Sequence, residues 1–275
     1  MKPLVSVSWL SENFNNPNLI ILDASPESNV ANLEAQFPGF QIKGAHHFDF
    51  KNVIVDKESD LPNTLPSAKI FEEEVRKQGI NTNSQIVVYD NLGIYTSPRV
   101  WWMFKIMGFE NIAVLDGGLT EWKNFNFQCE PTQQHKAKIG NFSANYHPEL
   151  IRNAQQILEN ITSEKEIVID ARSKERFNGT KPESRENLKS GHIPNSLNLP
   201  FLEVLKDGKF LSEEELLLLF NKTNPNKSSM VFTCGSGITA CILQLASVLI
   251  DYKTTSIYDG SWTEWGQLED FPIEK

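Results

Sequence analysis

The chain has 275 residues, 40% of them hydrophobic, with a net charge of −9 and three cysteines. That length accommodates one large domain or two ordinary ones, and the acidic balance excludes nucleic acid or an anionic membrane surface as the main partner. No apolar run approaches the roughly 18 residues of a membrane-spanning helix, no signal or transit pattern opens the chain, and the sparse, odd set of cysteines fits a reducing compartment, so a cytoplasmic protein without disulfides or a metal centre is expected.

From the N-terminus, Leu19 to Ala24 is a short apolar, β-branched run that ends at Asp23, which predicts a strand. Helical patterns cover Ser67–Gln78 and Ser97–Met107, with a second strand, Ile86–Tyr89, between them that ends at Asp90. Leu115-Asp116-Gly117-Gly118-Leu119-Thr120-Glu121-Trp122 closes this half. After it comes a polar, aperiodic stretch over residues 131–147, read as a linker between a domain at 1–130 and another at 148–275.

The second part repeats the first. Ile167 to Arg172 is again a strand ending at an acid, Asp170, and Ser212–Phe220 is a helical pattern. Met230–Thr233 lies over Ile86–Tyr89, and Tyr258-Asp259-Gly260-Ser261-Trp262-Thr263-Glu264-Trp265 lies over the Leu115–Trp122 segment. Strand–helix alternation in both halves predicts α/β architecture: two tandem domains, each a mainly parallel sheet flanked by helices.

The most informative stretch is Cys234-Gly235-Ser236-Gly237-Ile238-Thr239, between the strand Met230–Thr233 and an apolar run of good helix formers through Leu249. The first N–H groups of a helix lack intrahelical acceptors and lie at the positive end of its dipole. A glycine-rich turn before them turns further N–H groups inward, giving a nest for an anion. At the carboxyl end of a parallel strand such a nest favours a cysteine thiolate, the nucleophilic form. Asp90 occupies the matching place in the first half. An aspartate cannot carry a transferable sulfur, so only the second domain is expected to be catalytic.

With these residues in place, the chain resembles, over essentially its full length, the two-domain sulfurtransferases of the rhodanese family. Gly191-His192-Ile193-Pro194, Arg99-Val100-Trp101-Trp102 and the paired Asp-Gly-x-x-Thr-Glu-Trp segments carry the resemblance. The loop Cys234–Ala240 is similar to that of the 3-mercaptopyruvate branch; the thiosulfate branch has cationic side chains where this chain has Gly235 and Ser236. The resemblance implies a Cys234 nucleophile that becomes a persulfide, with Arg176 and Arg185 holding the donor's carboxylate and ketone. Bidentate, permanently charged guanidinium groups suit that task. It further implies Gly235, Ser236, Gly237, Ile238 and Thr239 as the substrate-binding loop, Thr239 also capping or back-bonding the helix. The donor would be 3-mercaptopyruvate, with thiosulfate as a secondary donor, and the acceptor thioredoxin, a small thiol or cyanide. No cofactor is required. Cys241 reads as core, Asp170 and Asp259 as structural acids, and His192 as a turn residue.

A Ser–His–Asp relay described for this branch is not matched: Asn63 stands near the histidine position and Lys51 at the aspartate position, beside Asp49. Two other classes fit less well. A cysteine-dependent phosphatase needs an arginine where Ala240 stands, and a non-enzymatic sulfur carrier does not need both arginines.

Overall fold

The computed structural model describes residues 1–185 and 187–275. The chain divides into two compact units. The first comprises Met1–Glu58, Leu65–His147 and Asp207–Phe210; the second comprises Ser59–Thr64, Pro148–Lys206 and Leu211–Lys275.

Each unit is built on a five-stranded, wholly parallel sheet, and the strand order is the same in both. In the first unit it runs Leu4–Val5, Ile112–Leu115, Gln85–Tyr89, Leu19–Asp23, His46–His47. In the second it runs, from the corresponding edge, Ile151–Arg152, Thr255–Tyr258, Met230–Thr233, Ile167–Asp170, Leu197–Asn198. The repeat read from sequence is thus a repeat of topology, and two α/β domains of the expected kind are present. The central strands, Gln85–Tyr89 and Met230–Thr233, are almost entirely buried, which explains their continuous apolar runs. Asp90 and Cys234 directly follow them, at the carboxyl ends.

Helices fall close to the expected places, with polar caps marking their starts. Ala68–Lys77 is preceded by Ser67, whose hydroxyl accepts the Ile70 N–H at 3.4 Å. Ser97–Ile106 carries Pro98 in its first turn. Glu213–Thr223 begins with a capping box between Ser212 and Glu215 and runs three residues past the predicted end at Phe220. Its last turn is solvated, so the apolar pattern stops before the helix does. Ala240–Leu249 is buried over its first eight residues, Ala240 to Ser247, as a helix packed beneath a sheet must be.

Residues 131–147 pack onto the first unit. Phe142 is 1% exposed, in a cluster of aromatic rings with Phe71, Phe104 and Phe109 at centroid distances of 5.7–5.9 Å. Backbone N–H groups of Gly140, Phe142 and Asn145 donate to the carbonyls of Arg76, Ile80 and Met107. Burying a phenylalanine contributes about 1.5–3 kcal/mol, which adds to these backbone hydrogen bonds in anchoring the strap. The polar composition that reads as a linker belongs to its exposed side chains.

Candidate active site

The site of the second unit grows from the end of the central strand. Cys234 is 2% exposed, and the chain turns through Gly237 (φ 76°) into the helix Ala240–Leu249. The segment Ser261–Thr263 holds this loop from outside. The Ser261 hydroxyl accepts N–H groups from both Cys234 and Gly237 at 3.2 Å and donates to the Tyr258 carbonyl at 2.8 Å. Trp262 N–H donates to the Cys234 carbonyl at 3.0 Å. Thr263 gives the Gly235 carbonyl two hydrogen bonds, from its N–H at 2.9 Å and from Oγ1 at 2.6 Å. The carbonyls of Cys234 and Gly235 are therefore engaged outward. Among the described residues, the N–H groups of Gly235, Ser236, Ile238 and Thr239 meet no acceptor.

The first unit shows what such a loop does with an anion. There the Asp90 carboxylate accepts N–H groups from Leu92, Tyr95, Thr96 and Ser97 at 2.8–3.0 Å, and the Ser97 hydroxyl at 2.7 Å. Burial still pushes the Asp90 carboxyl up from its ordinary value, against the pull of these donors. The chain thus fills its first nest with its own carboxylate and places a thiol at the corresponding point of the second.

Two arginines approach the loop, and they are held in different ways. Arg176, on the short helix Lys174–Phe177, is paired with Glu183 through Nε and Nη2. Glu183 also pairs with Arg172 at 2.8 Å, and the buried Arg172 pairs with Asp170 at 2.6 Å. This chain of alternating charge is internally balanced. A Cβ built on Gly235 would lie 3.1 Å from Arg176 Nη2, so the guanidinium fills the space that a side chain at position 235 would need. Arg185 donates from Nη1 to Thr263 Oγ1 at 2.9 Å and, among the described residues, pairs with no carboxylate. Burial and the neighbouring Arg176 lower its basicity, while Cys234 and Glu183 work in the opposite direction. The structure thus gathers Cys234, the loop through Thr239, Arg176 and Arg185 around one point.

Ser236 has a partner that sequence reasoning did not place there. Asn63 Nδ2 donates to Ser236 Oγ at 3.1 Å and lies 3.4 Å from the Ser236 carbonyl. Asp49 instead accepts the N–H groups of Lys51 and Asn52 in its own turn, and Lys51 Nζ donates to the Ser28 carbonyl. His192 donates from Nδ1 to the Phe177 carbonyl at 2.9 Å and stacks on the Phe177 ring. Thr239 stands at the N-cap position with a backbone that is already helical (φ −73°, ψ −18°), and its side chain makes no capping hydrogen bond, so the capping half of the expected cap-or-back-bond role is not found. Cys241 is fully buried, its Sγ 3.3 Å from the Gly237 carbonyl.

Sequence reasoning missed Ser261, Thr263, Glu183 and the role of Asn63. Ser261 alone left a signal: where the first half has Gly118, the second has a serine in the same left-handed conformation (φ 53° and 52°). A Cβ at Gly118 would meet the Asp90 carbonyl at 2.3 Å. The exchange of glycine for serine accompanies the exchange of Asp90 for Cys234.

Comparison with known proteins agrees with the two-domain fold. The rhodanese-like domain model matches residues 6–125 and 153–268. The 3-mercaptopyruvate sulfurtransferase of Mus musculus is 37% identical over 274 residues, covering 96% of this chain and 92% of that protein. A thiosulfate sulfurtransferase of the same organism is 36% identical over 278 residues, with the same coverage. The crystal structure of SseA from Escherichia coli, a 3-mercaptopyruvate sulfotransferase, superposes with a TM-score of 0.83 at 30% identity, over 95% of this chain and 99% of that one.

Proposed function

The chain belongs to the rhodanese family as a two-domain sulfurtransferase, and from that premise we propose that it takes sulfur from 3-mercaptopyruvate through a persulfide on Cys234. The thiolate of Cys234 attacks the donor's sulfur. A sulfur–sulfur bond forms, the donor's carbon–sulfur bond breaks, and its electron pair leaves on pyruvate enolate, which becomes pyruvate by taking up a proton. An acceptor thiolate, from thioredoxin or a small thiol, or cyanide, then attacks the outer sulfur and releases the Cys234 thiolate. Preorganised N–H donors stabilise the anionic sulfur as an oxyanion hole stabilises an alkoxide, without reorganising during the reaction.

The observation that carries this reading is Arg185, a guanidinium without a carboxylate partner among the described residues, held at 2.9 Å by Thr263 Oγ1, which itself binds the carbonyl of Gly235 in the Cys234 loop. It suits a donor with one carboxylate, held bidentately. Gly235 and Ser236 supply no further cation for the second charge of thiosulfate, and Arg176 occupies the space in which position 235 could present one. Thiosulfate remains the competing donor, since the relatives include a thiosulfate sulfurtransferase.

Side-by-side steady-state kinetics with the two donors test the assignment: kcat/KM is expected to favour 3-mercaptopyruvate, and a preference for thiosulfate overturns it. Incubation with donor alone is expected to add one sulfur at Cys234 by peptide mass spectrometry, and none in Cys234→Ser. Sulfur on Cys129 or Cys241 contradicts the proposed carrier. Multiple turnovers with a small donor separate an enzyme from a stoichiometric sulfur carrier.

A further inference from the structure

Among the described residues, balancing the ion pairs around Cys234 leaves one guanidinium without a carboxylate partner. Asp170, Arg172, Glu183 and Arg176 alternate in sign and cancel. Arg185 forms no ion pair with that chain among the described residues; it is half-buried, repelled by Arg176 and drawn by Cys234 and Glu183. Its hydrogen bond is to a neutral hydroxyl, Thr263 Oγ1, at 2.9 Å. Thr263 is 3% exposed, and its hydroxyl proton is committed to the Gly235 carbonyl at 2.6 Å. With the proton directed there, the lone pairs of Oγ1 are left to accept from Arg185. Thr263 N–H donates to the same carbonyl at 2.9 Å, which fixes the threonine backbone relative to the loop.

We infer that Thr263 is a positioning residue that ties Arg185 to the nucleophile loop through the chain Arg185 Nη1–H, Thr263 Oγ1–H, Gly235 carbonyl, and so aims an uncompensated positive charge at an anionic ligand beside Cys234. A neutral acceptor suits this task better than a carboxylate. It orients the flexible side chain without cancelling the charge that must meet the ligand. Arg176, which is paired with Glu183, by contrast contributes geometry and little net field. Because Gly235 is bonded to Cys234, displacement of Arg185 and displacement of the loop are coupled. The ligand class that follows is a small monoanion; identifying it with the donor carboxylate rests on the 3-mercaptopyruvate reading above.

The test compares alkylation of Cys234 by anionic iodoacetate and neutral iodoacetamide in the full chain, for wild type, Thr263→Val, Thr263→Ser and Arg185→Ala, each checked for folding by circular dichroism. The iodoacetate-to-iodoacetamide rate ratio is expected to fall in Arg185→Ala, to fall by a comparable factor of about ten in Thr263→Val, as the loss of a charge-assisted hydrogen bond would produce, and to return toward wild type in Thr263→Ser. With 3-mercaptopyruvate, Thr263→Val is expected to raise KM more than it lowers kcat. A ratio unchanged in Thr263→Val, or unchanged in Arg185→Ala, overturns the inference. So does failure of Thr263→Ser to restore it. If the wild-type enzyme does not use 3-mercaptopyruvate, the donor assignment fails, and the alkylation ratio still decides the role of Thr263.

Discussion

Asn63 and Ser236 show how one residue type sets the limits of a mechanism. An amide neither takes up nor returns a proton, so Asn63 can orient Ser236 but cannot serve as a general base through it. Its Nδ2 donates to Ser236 Oγ, leaving the serine proton to point elsewhere. Ser236→Ala is expected to lower kcat/KM within about tenfold, as loss of one neutral hydrogen bond would. Asn63→Ala should cost a similar factor, and the double variant no more than the larger single loss, because both remove the same interaction. Independent, multiplying losses in the kinetic cycle would show that the pair does not act as a unit. The arginines should differ more sharply. Arg185→Ala removes the unmatched charge and is expected to lower kcat/KM for 3-mercaptopyruvate by ten- to a hundredfold, about 1.5–3 kcal/mol. Arg176→Ala should cost less, since Glu183 keeps its pairing with Arg172.

At the scale of the element, the loop and the segment that braces it form one device, and only half of it is visible in sequence. Cys234, the glycines and the following helix former run are contiguous, so they can be read together; the arginines needed the family resemblance. Ser261 and Thr263 act through their hydroxyls across sequence separations of 24 to 78 residues, and beyond the glycine-to-serine exchange at Ser261 no local pattern encodes those contacts. Asn63 reaches Ser236 over 173 residues. The brace makes a stability prediction. Ser261 accepts two buried N–H groups while held at φ 52°. Ser261→Ala leaves both donors without that acceptor and keeps a Cβ in a left-handed conformation, so a loss of about 1–3 kcal/mol is expected. Ser261→Gly loses the acceptor but relieves the backbone, and should be less destabilised by about 1 kcal/mol in denaturant titrations. If alanine is the more stable of the two, backbone strain at this position is not a term in the balance.

Across the whole molecule, the fold was legible because the repeat places the same strand order twice, and buried central strands must be apolar throughout. The strap at 131–147 was not, since its buried anchoring ring, Phe142, is flanked in sequence by polar residues and shows no periodicity. The histidines of the first unit give the protein a pH dependence unrelated to its chemistry. His46 lies 5.9 Å from the ring of His135, and His135 Nε2 is 2.6 Å from Glu130 Oε1. Burial, and then His135, lower the basicity of His46. The unfolded chain, with an ordinary imidazole near 6.5, therefore binds more protons than the folded one as pH falls through that value, and folding weakens. Glu130 acts lower on the scale. Burial pushes its carboxyl up, but hydrogen bonds from Gly44 N–H, His135 and Gln41 reverse this and bring it to about 2. Its stabilisation is complete above the ordinary glutamate value near 4.3 and is lost as pH falls from there toward 2. Thermal unfolding followed against pH should therefore show a first decline in Tm between about pH 7 and 5, and a separate one below about pH 4.3. His46→Gln, which keeps a polar side chain of similar reach without the titration, is expected to flatten the first decline and leave the second. A variant that loses Tm between pH 7 and 5 as steeply as wild type would place the titrating group elsewhere.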